Sequence, residues 1–174
     1  MAAIDPEANS RAKFVQPFYL KMMRLNAIQY GIGLTAEIAT VSRSASAWDI
    51  VYLLRSAWRE RVMGAWLALR KDDPLVVAAV LHALGTSQGS LDAPPLATAA
   101  VVLAGAEALP ELERYYAADQ AHQWGAAGIA TAAIDYLRQL RGVDSLIPSA
   151  GEDDVATFAQ LIAVAEALRT HSSD

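Results

Sequence analysis

The amino-acid sequence predicts an all-α protein, an irregular stack of about eight or nine helices built from HEAT-like helical hairpins. β-branched residues do not alternate with polar residues in any stretch, so the sequence predicts no strand. Alanine makes up about a fifth of the 174 residues, and small side chains let helices approach one another closely. Outside the turn at residues 85–95, the segment 74–106 carries no charged side chain. Helices of that composition need neighbouring helices on more than one side.

The chain length fits one domain, because 174 residues bury enough surface for a self-sufficient core. Residues 1–13 are expected to be flexible, residues 14–142 to form the helical-repeat domain, and residues 143–151 to form a loop. The last segment, 152–174, is expected to be a helix packed on the same domain. Three alanine-rich segments resemble one another, but their spacing is irregular, so a globular helical bundle is the alternative to a repeat.

The first helices are predicted from proline, glycine and a cap pattern. Pro17 suits the first turn of a helix over residues 17–25, and a second short helix is expected over residues 34–41. Ser46, followed three residues later by Asp49, resembles a capping box. This pattern predicts a helix that runs from there to residue 54.

The later helices are predicted from stronger start and stop signals. Ser56 is expected to cap a helix that runs to residue 71. Asp73 followed by Pro74 predicts the start of a helix that ends at Gly85, where glycine suits the left-handed position. Gly142 is expected to end a further helix. The remaining helices are expected at residues 94–104, 110–118, 124–141 and 152–170, the last with an acidic first turn that suits its dipole.

Composition and charge exclude several classes of function. The net charge is −5, but residues 1–73 carry 10 basic and 7 acidic side chains while residues 74–174 carry 4 and 12. Such a split steers a charged partner, and the acidic second half disfavours nucleic acid. No apolar stretch is expected to reach the length of a membrane span, about 20 residues, and no secretory leader is visible. We therefore expect a cytoplasmic protein that does not enter a membrane.

The sequence shows no set of residues that predicts a reaction. The chain lacks cysteine, so disulfides and thiolate chemistry are excluded. His82, His122 and His171 have no spacing to another ligand that predicts a metal site. A Gly-x-Ser-x-Gly motif is absent, and the glycine-containing turn at residues 85–90 follows a helix and lacks the ending of a phosphate loop. We expect no catalytic residue, cofactor or metal.

A first candidate binding cluster lies on the helix predicted over residues 56–71. Arginine binds carboxylates through two parallel hydrogen bonds and stacks on aromatic rings. Tryptophans in the core, covered by arginines, are the alternative interpretation. The partner-binding candidates of this cluster are Arg59, Arg61, Trp66 and Arg70.

A second candidate cluster begins at Tyr115. Helical spacing places Tyr115 and Asp119 on one face, and a helix that begins at Trp124 would place that ring on a polar strip. An amphipathic aromatic on a polar strip is typical of an interaction hot spot, whereas packing of Trp124 against the preceding loop is the alternative. The candidates of this cluster are Tyr115, Tyr116, Asp119, His122, Trp124, Asp135 and Arg138.

Four segments together resemble a known family. Residues 14–19, 58–66, 90–97 and 124–128 are similar, in order, to the landmarks of a bacterial domain-of-unknown-function family, the one numbered six thousand. The resemblance covers the chain from about residue 14 to residue 140. It implies no established activity, and the segment after Gly142 has no counterpart in it.

The leading functional hypothesis is a non-enzymatic protein-binding module. Small acidic helical-repeat proteins without a catalytic set are similar in kind to immunity proteins that neutralise bacterial toxins, so the expected partner is a protein, a toxin encoded nearby. The alternative is a small-ligand protein or enzyme whose interhelix pocket is formed by Arg59, Tyr115, Asp119 and His122. A HEAT-like DNA-binding scaffold is a third interpretation, and it requires a basic groove.

Overall fold

A computed structural model describes residues 9–171, and within that range the chain forms helices and no strands. The all-helical prediction is therefore confirmed. Short elements connect the main helices: a π-helix at Arg11–Val15 and 3₁₀-helices at Ile32–Leu34 and Gly105–Ala108. The α-helices are α1 (Tyr19–Met22), α2 (Asn26–Tyr30), α3 (Thr35–Ser44), α4 (Ala47–Arg55), α5 (Trp58–Ala68), α6 (Pro74–Gly85), α7 (Ala93–Ala104), α8 (Leu109–His122), α9 (Ala127–Arg141) and α10 (Glu152–Thr170).

Three of the predicted helix boundaries depend on local chemistry, and the structure confirms them. The Ser46 side chain accepts a hydrogen bond from the Asp49 backbone N–H, and the Asp49 side chain accepts one from the Ser46 backbone, which completes a capping box on α4. The Asp73 side chain caps α6 by accepting from the Leu75 backbone N–H. Gly142 ends α9 in the left-handed region, with φ of 62°.

Other predicted boundaries are wrong. The Ser56 hydroxyl donates to the Tyr52 carbonyl instead of capping α5, which begins at Trp58. The predicted end of α6 at Gly85 is confirmed, but the left-handed conformation expected there is wrong, since Gly85 has no positive φ; a side chain there would meet Glu111. No continuous helix covers residues 17–25, because the chain turns at Arg24, whose φ is 52°.

The N-terminal segment begins to fold earlier than the sequence predicts. Residues 1–8 of the segment expected to be flexible lie outside the described residues. From Arg11 onward the chain forms the π-helix, in which Phe14 and Val15 are buried. Arg11 also forms an ion pair with the buried Glu60, at 2.7 Å. The first helical turn is thereby tied to α5.

Helix α7 is the centre of the core. It packs against α5, α6, α9 and α10, and every residue from Ala93 to Val101 is buried. The prediction that this helix is covered on several sides is confirmed. Helix α6 also packs against several neighbours, α4, α5, α7 and α8, so the same prediction is confirmed for it, although Leu75 is 58% exposed and Ala78 and His82 are also exposed. One face of α6 therefore belongs to the surface.

Helical hairpins build the stack, and the last helix closes it. Consecutive helices pack as the pairs α4–α5, α6–α7 and α8–α9. Helix α10 then crosses back and packs on α2, α3, α7 and α9, where it buries Phe158, Leu161 and Leu168. In an open solenoid each repeat contacts only its neighbours, so the return of α10 makes this stack a closed globule.

One stretch of the described chain, Ala93–His122, has the length and apolar composition of a membrane span. The structure divides it into α7, a 3₁₀-helix and α8, with Gly105 at φ of 55° between the first two. Half of its most apolar segment of 18 residues is buried inside the protein. The apolar composition is the one that a helix surrounded by four others requires.

Candidate functional site

Two open clefts lie on either side of the loop that joins α6 to α7. The first, called the Arg61 cleft, has a volume of about 620 Å³ and is lined by Trp58, Arg61, His82 and Asp92 together with loop residues. The second, called the Trp124 cleft, has a volume of about 490 Å³, and its lining includes His122 and Trp124. Thr86 and Gln88 line both clefts. Residues from the two clusters predicted from the sequence therefore flank the same loop.

This loop was not predicted as part of a site. The sequence interpretation places function outside the apolar segment 74–106, yet the structure places the loop of that segment between the two clefts. A signal was present in the sequence, because Asp92 is the only charged residue between Pro74 and Ala106. A charged side chain in a buried apolar segment is stable only where hydrogen bonds, an ion pair or a ligand compensate for its loss of hydration.

Arg61 ties the start of α5 to the loop. Its Nε donates to the Ser56 carbonyl at 3.1 Å, and its Nη1 lies 3.5 Å from the Thr86 carbonyl. Nη1 also lies 3.9 Å from the Asp92 Oδ2. Because the side chain is only 20% exposed, these contacts fix the guanidinium in the wall of the cleft.

Asp92 supplies the carboxylate of the same cleft. It is 3% exposed and accepts a hydrogen bond from the Ser87 hydroxyl at 2.8 Å. Burial raises the pKa of Asp92, and the Ser87 hydrogen bond and the Arg61 charge offset only part of that effect. Its side chain does not cap α7, although the residue stands immediately before that helix. The carboxylate is therefore held toward Ser87 and Arg61.

Trp58 lines the Arg61 cleft, and Arg59 lies on the Trp58 ring. The Arg59 guanidinium lies 4.5 Å from the Trp58 ring centre and 5.6 Å from that of Tyr19. The two rings meet edge to face, with centres 5.9 Å apart. Within residues 9–171, Arg59 is exposed and forms no ion pair. It presents a stacked cation to solvent.

His122 and Trp124 form the corresponding wall of the Trp124 cleft. Their rings are stacked, with centres 5.1 Å apart and planes 13° apart. Gln123, between them, has a left-handed backbone with φ of 59° and ends α8. Trp124 thus precedes α9, and the polar strip predicted for a helix that begins at Trp124 does not exist. The ring also lies 5.9 Å from Tyr115, so packing against the preceding segment is the correct interpretation.

Tyr115 and Asp119 support this wall from the interior. Asp119 is 3% exposed and accepts from the Ala126 backbone N–H at 2.8 Å and from the Tyr115 hydroxyl at 3.1 Å. The Tyr115 hydroxyl also lies 2.9 Å from the Gly89 carbonyl, and burial together with the Asp119 charge raises its pKa. Both residues were partner-binding candidates. Their burial corrects that prediction, because they hold the α8–α9 turn and the loop.

Two candidates of the first cluster also belong to the scaffold. Trp66 is fully buried, and its Nε1–H donates to the Met22 carbonyl at 2.9 Å. Arg70 lies beyond the end of α5, and its Nη1 donates to the carbonyls of Leu168 and Arg169 at the end of α10. The alternative interpretation, tryptophan in the core, is correct for Trp66.

Asp135 and Arg138 hold the loop at residues 143–151. Arg138 pairs with Asp135 and donates to the carbonyls of Ser145 and Ile147. Asp135 accepts from the Ala150 backbone N–H at 2.7 Å. Tyr116 is half-buried against the core. These side chains stabilise the fold and do not line either cleft.

The four residues expected to form an enzymatic pocket do not meet. Arg59 stacks on Trp58, His122 lines the other cleft, and Tyr115 and Asp119 are buried. Among the described residues, no group of three or more potential ligands could hold a metal ion. Of all the sequence candidates, Arg61, His122 and Trp124 line the clefts, and Arg59 lies on the ring of Trp58, which lines the Arg61 cleft.

Comparison with known proteins gives no match to a family model, to a curated protein or to a solved structure. The resemblance to the domain-of-unknown-function family therefore stays a prediction. The site is interpreted from its own chemistry.

Proposed function

We propose that this chain is a non-enzymatic, cytoplasmic protein that binds a partner protein at the two clefts and neutralises it, as immunity proteins neutralise bacterial toxins. The observation that carries the proposal is the shared loop. Because Thr86 and Gln88 line both clefts, the clefts and the loop form one continuous surface. A surface that combines concave regions with aromatic and arginine side chains has the composition of interaction hot spots.

The side chains at this surface are held before any partner arrives. Arg61 is fixed by the Ser56 and Thr86 carbonyls, Arg59 is stacked on Trp58, and His122 is stacked on Trp124. Side chains that are already ordered lose less conformational entropy on binding, about 0.5–1.5 kcal/mol less for each one. This preorganisation favours binding as the role of the surface.

The acidic second half of the chain supports a protein partner over nucleic acid. Residues 74–174 carry 12 acidic and 4 basic side chains, and such a surface repels phosphate backbones.

A small-ligand function is favoured by a different observation, the volume of the Arg61 cleft. At about 620 Å³ it falls within the range of ligand pockets, roughly 300–1,000 Å³.

Co-expression tests the proposal directly. The chain is produced together with each protein encoded next to it that slows growth on its own, and growth and complex formation are measured. Wild type is expected to restore growth and to form a stoichiometric complex. The double variant Arg59→Glu, His122→Glu is expected to lose at least about tenfold in affinity, because both side chains are exposed contact groups.

The matched control is Leu140→Glu. Leu140 is exposed and lies near the far end of α9, about 20 Å from the helix start beside the Trp124 cleft. The control is expected to bind like wild type. Equal binding by the double variant, or no complex with wild type, would overturn the proposal.

A further inference from the structure

The Arg61 cleft contains a hydrogen-bond donor that the protein itself does not use. The Nε of Arg61 donates to the Ser56 carbonyl, and Nη1 faces the Thr86 carbonyl and Asp92. Within residues 9–171, Nη2 has no hydrogen-bond partner, and it is not buried. Nε and Nη1 therefore hold the guanidinium in place, and Nη2 remains able to donate a hydrogen bond to a ligand. A fixed and partly open guanidinium fits a planar anion.

The charges around the cleft favour an anion over a cation. Arg61 lines it with a side chain that is 20% exposed, and the exposed Arg59 guanidinium lies on the ring of Trp58, another lining residue. The only acidic residue in the lining is Asp92, and this residue is 3% exposed. The more accessible charge in the lining is therefore the positive one of Arg61, although the chain as a whole has a net charge of −5. An accessible cation attracts negative groups.

Asp92 does not neutralise Arg61 fully. The 3.9 Å between Asp92 Oδ2 and Arg61 Nη1 exceeds the length of a hydrogen bond. The hydrogen bond that Asp92 accepts from another residue comes from Ser87, on the other carboxylate oxygen. A second carboxylate could therefore approach the guanidinium without first breaking a close ion pair.

We propose that the Arg61 cleft binds the side-chain carboxylate of a glutamate or aspartate on the partner protein. The inference rests on the proposed function and names the chemistry of one contact within it. A carboxylate carried by a protein is chosen because the cleft is open, and the adjoining loop and the Trp58 wall offer surface to residues that flank the acidic side chain. The Arg61 guanidinium supplies the charge, and Arg59, on the ring of the lining residue Trp58, adds a second cation nearby.

A pair of small probes tests the carboxylate subsite without the partner. N-acetyl-glutamate methylamide and the matched glutamine compound are titrated into the ¹⁵N-labelled full chain and followed by NMR. The glutamate probe is expected to shift the amides of Arg61 and of the loop at residues 86–92, and to bind at least tenfold more tightly than the glutamine probe. Equal binding of the two probes, or no saturable shift at these amides, would overturn the proposal.

Three variants determine which charge recognises the probe. Arg61→Gln should abolish the difference between the probes, and Arg59→Gln, which alters an exposed side chain, should weaken glutamate binding severalfold even if Arg61→Gln fails to fold. Asp92→Asn removes the competing carboxylate and keeps the acceptor for Ser87, so it should tighten glutamate binding severalfold. Weaker glutamate binding in Asp92→Asn would show that Asp92 does not compete with the probe for the guanidinium, against the proposal.

The purified partner separates this inference from the proposed function. If wild type binds the partner and Arg61→Gln and Arg59→Gln bind it equally well, the carboxylate contact is wrong while protein binding stands. If the probe binds and no partner protein does, the source of the carboxylate is a free small molecule, which contradicts the commitment to a protein side chain. Loss of partner binding in the arginine variants, with wild-type binding in Leu140→Glu, is the expected result.

Discussion

Asp92 and Asp119 are buried to the same extent, each 3% exposed, but their surroundings differ. Asp119 accepts close hydrogen bonds from the Ala126 backbone and the Tyr115 hydroxyl, with the Gly125 backbone at 3.4 Å. Asp92 accepts from Ser87 and faces Arg61 at 3.9 Å. The satisfied carboxylate of Asp119 stabilises the fold, whereas the longer separation at Asp92 leaves the Arg61 guanidinium without a close ion pair and able to bind a ligand. We infer that the residues beside the Trp124 cleft mainly stabilise the fold and that the Arg61 cleft contributes more to partner binding.

The largest expected effect is on the Trp124 side. Asp119→Ala leaves the Ala126 backbone N–H and the Tyr115 hydroxyl without their acceptor, so unfolding free energy is expected to fall by about 2–4 kcal/mol. Urea denaturation followed by circular dichroism measures the change. Asp153→Ala, at an exposed position in the first turn of α10, is the control and should cost less than about 1 kcal/mol. Equal losses in the two variants would break the comparison.

A smaller effect is expected from Tyr115→Phe. The hydroxyl is lost from its contacts with Asp119 and the Gly89 carbonyl, while the ring stays in place. The same denaturation experiment should show a loss of about 1 kcal/mol. The neighbouring Tyr116→Phe is the matched control and should be close to neutral, because no hydrogen bond of the Tyr116 hydroxyl is found in the described structure. A larger loss in Tyr116→Phe would contradict the assignment.

The smallest effect, and a pH-dependent one, is expected from Asp92→Asn. Burial raises the pKa of Asp92 above its usual 3.8, so the folded state binds this proton more tightly than the unfolded state does. The contribution of Asp92 to stability is therefore fully present below the unfolded pKa, and it is lost as the pH rises through the folded pKa. Asparagine does not titrate, so the free energy of unfolding of Asp92→Asn should increase relative to that of wild type as the pH rises from 3.5 to 7.

Denaturation of both proteins across that pH range checks this expectation. Arg61 and His82 also line the cleft, so the change in the stability difference is read mainly between pH 3.5 and about 5.5, below the ordinary histidine range. A stability difference that is constant over the whole range, or that moves the other way, would show that burial does not dominate at Asp92.

The parts of the fold that the sequence predicts correctly depend on neighbouring residues. Ser46 and Asp49 cap α4, Asp73 caps α6, and Gly142 ends α9, in each case through contacts within a few residues. The start of α9 was misplaced because Asp119, seven residues earlier, holds the Ala126 backbone. The contact between Asp119 and Ala126 depends on the turn between α8 and α9, which hydrophobic periodicity does not predict.

The candidate site could be predicted only in part, for a similar reason. Residue type alone identified Arg61, His122 and Trp124, which line the clefts, and Arg59, which lies on the ring of the lining residue Trp58. The same residue types also hold remote segments in place. Arg138 holds the loop at residues 143–151, and Arg70 holds the end of α10. The sequence pattern does not indicate which segment either arginine contacts.

The most direct test of partner binding at the clefts is hydrogen exchange of the chain alone and in complex with the purified partner. Binding at this surface should slow exchange in residues 85–92 and 122–126 and leave residues 139–151 unchanged. Protection of residues 139–151 with no change around the α6–α7 loop would contradict the assignment of the two clefts as the binding surface.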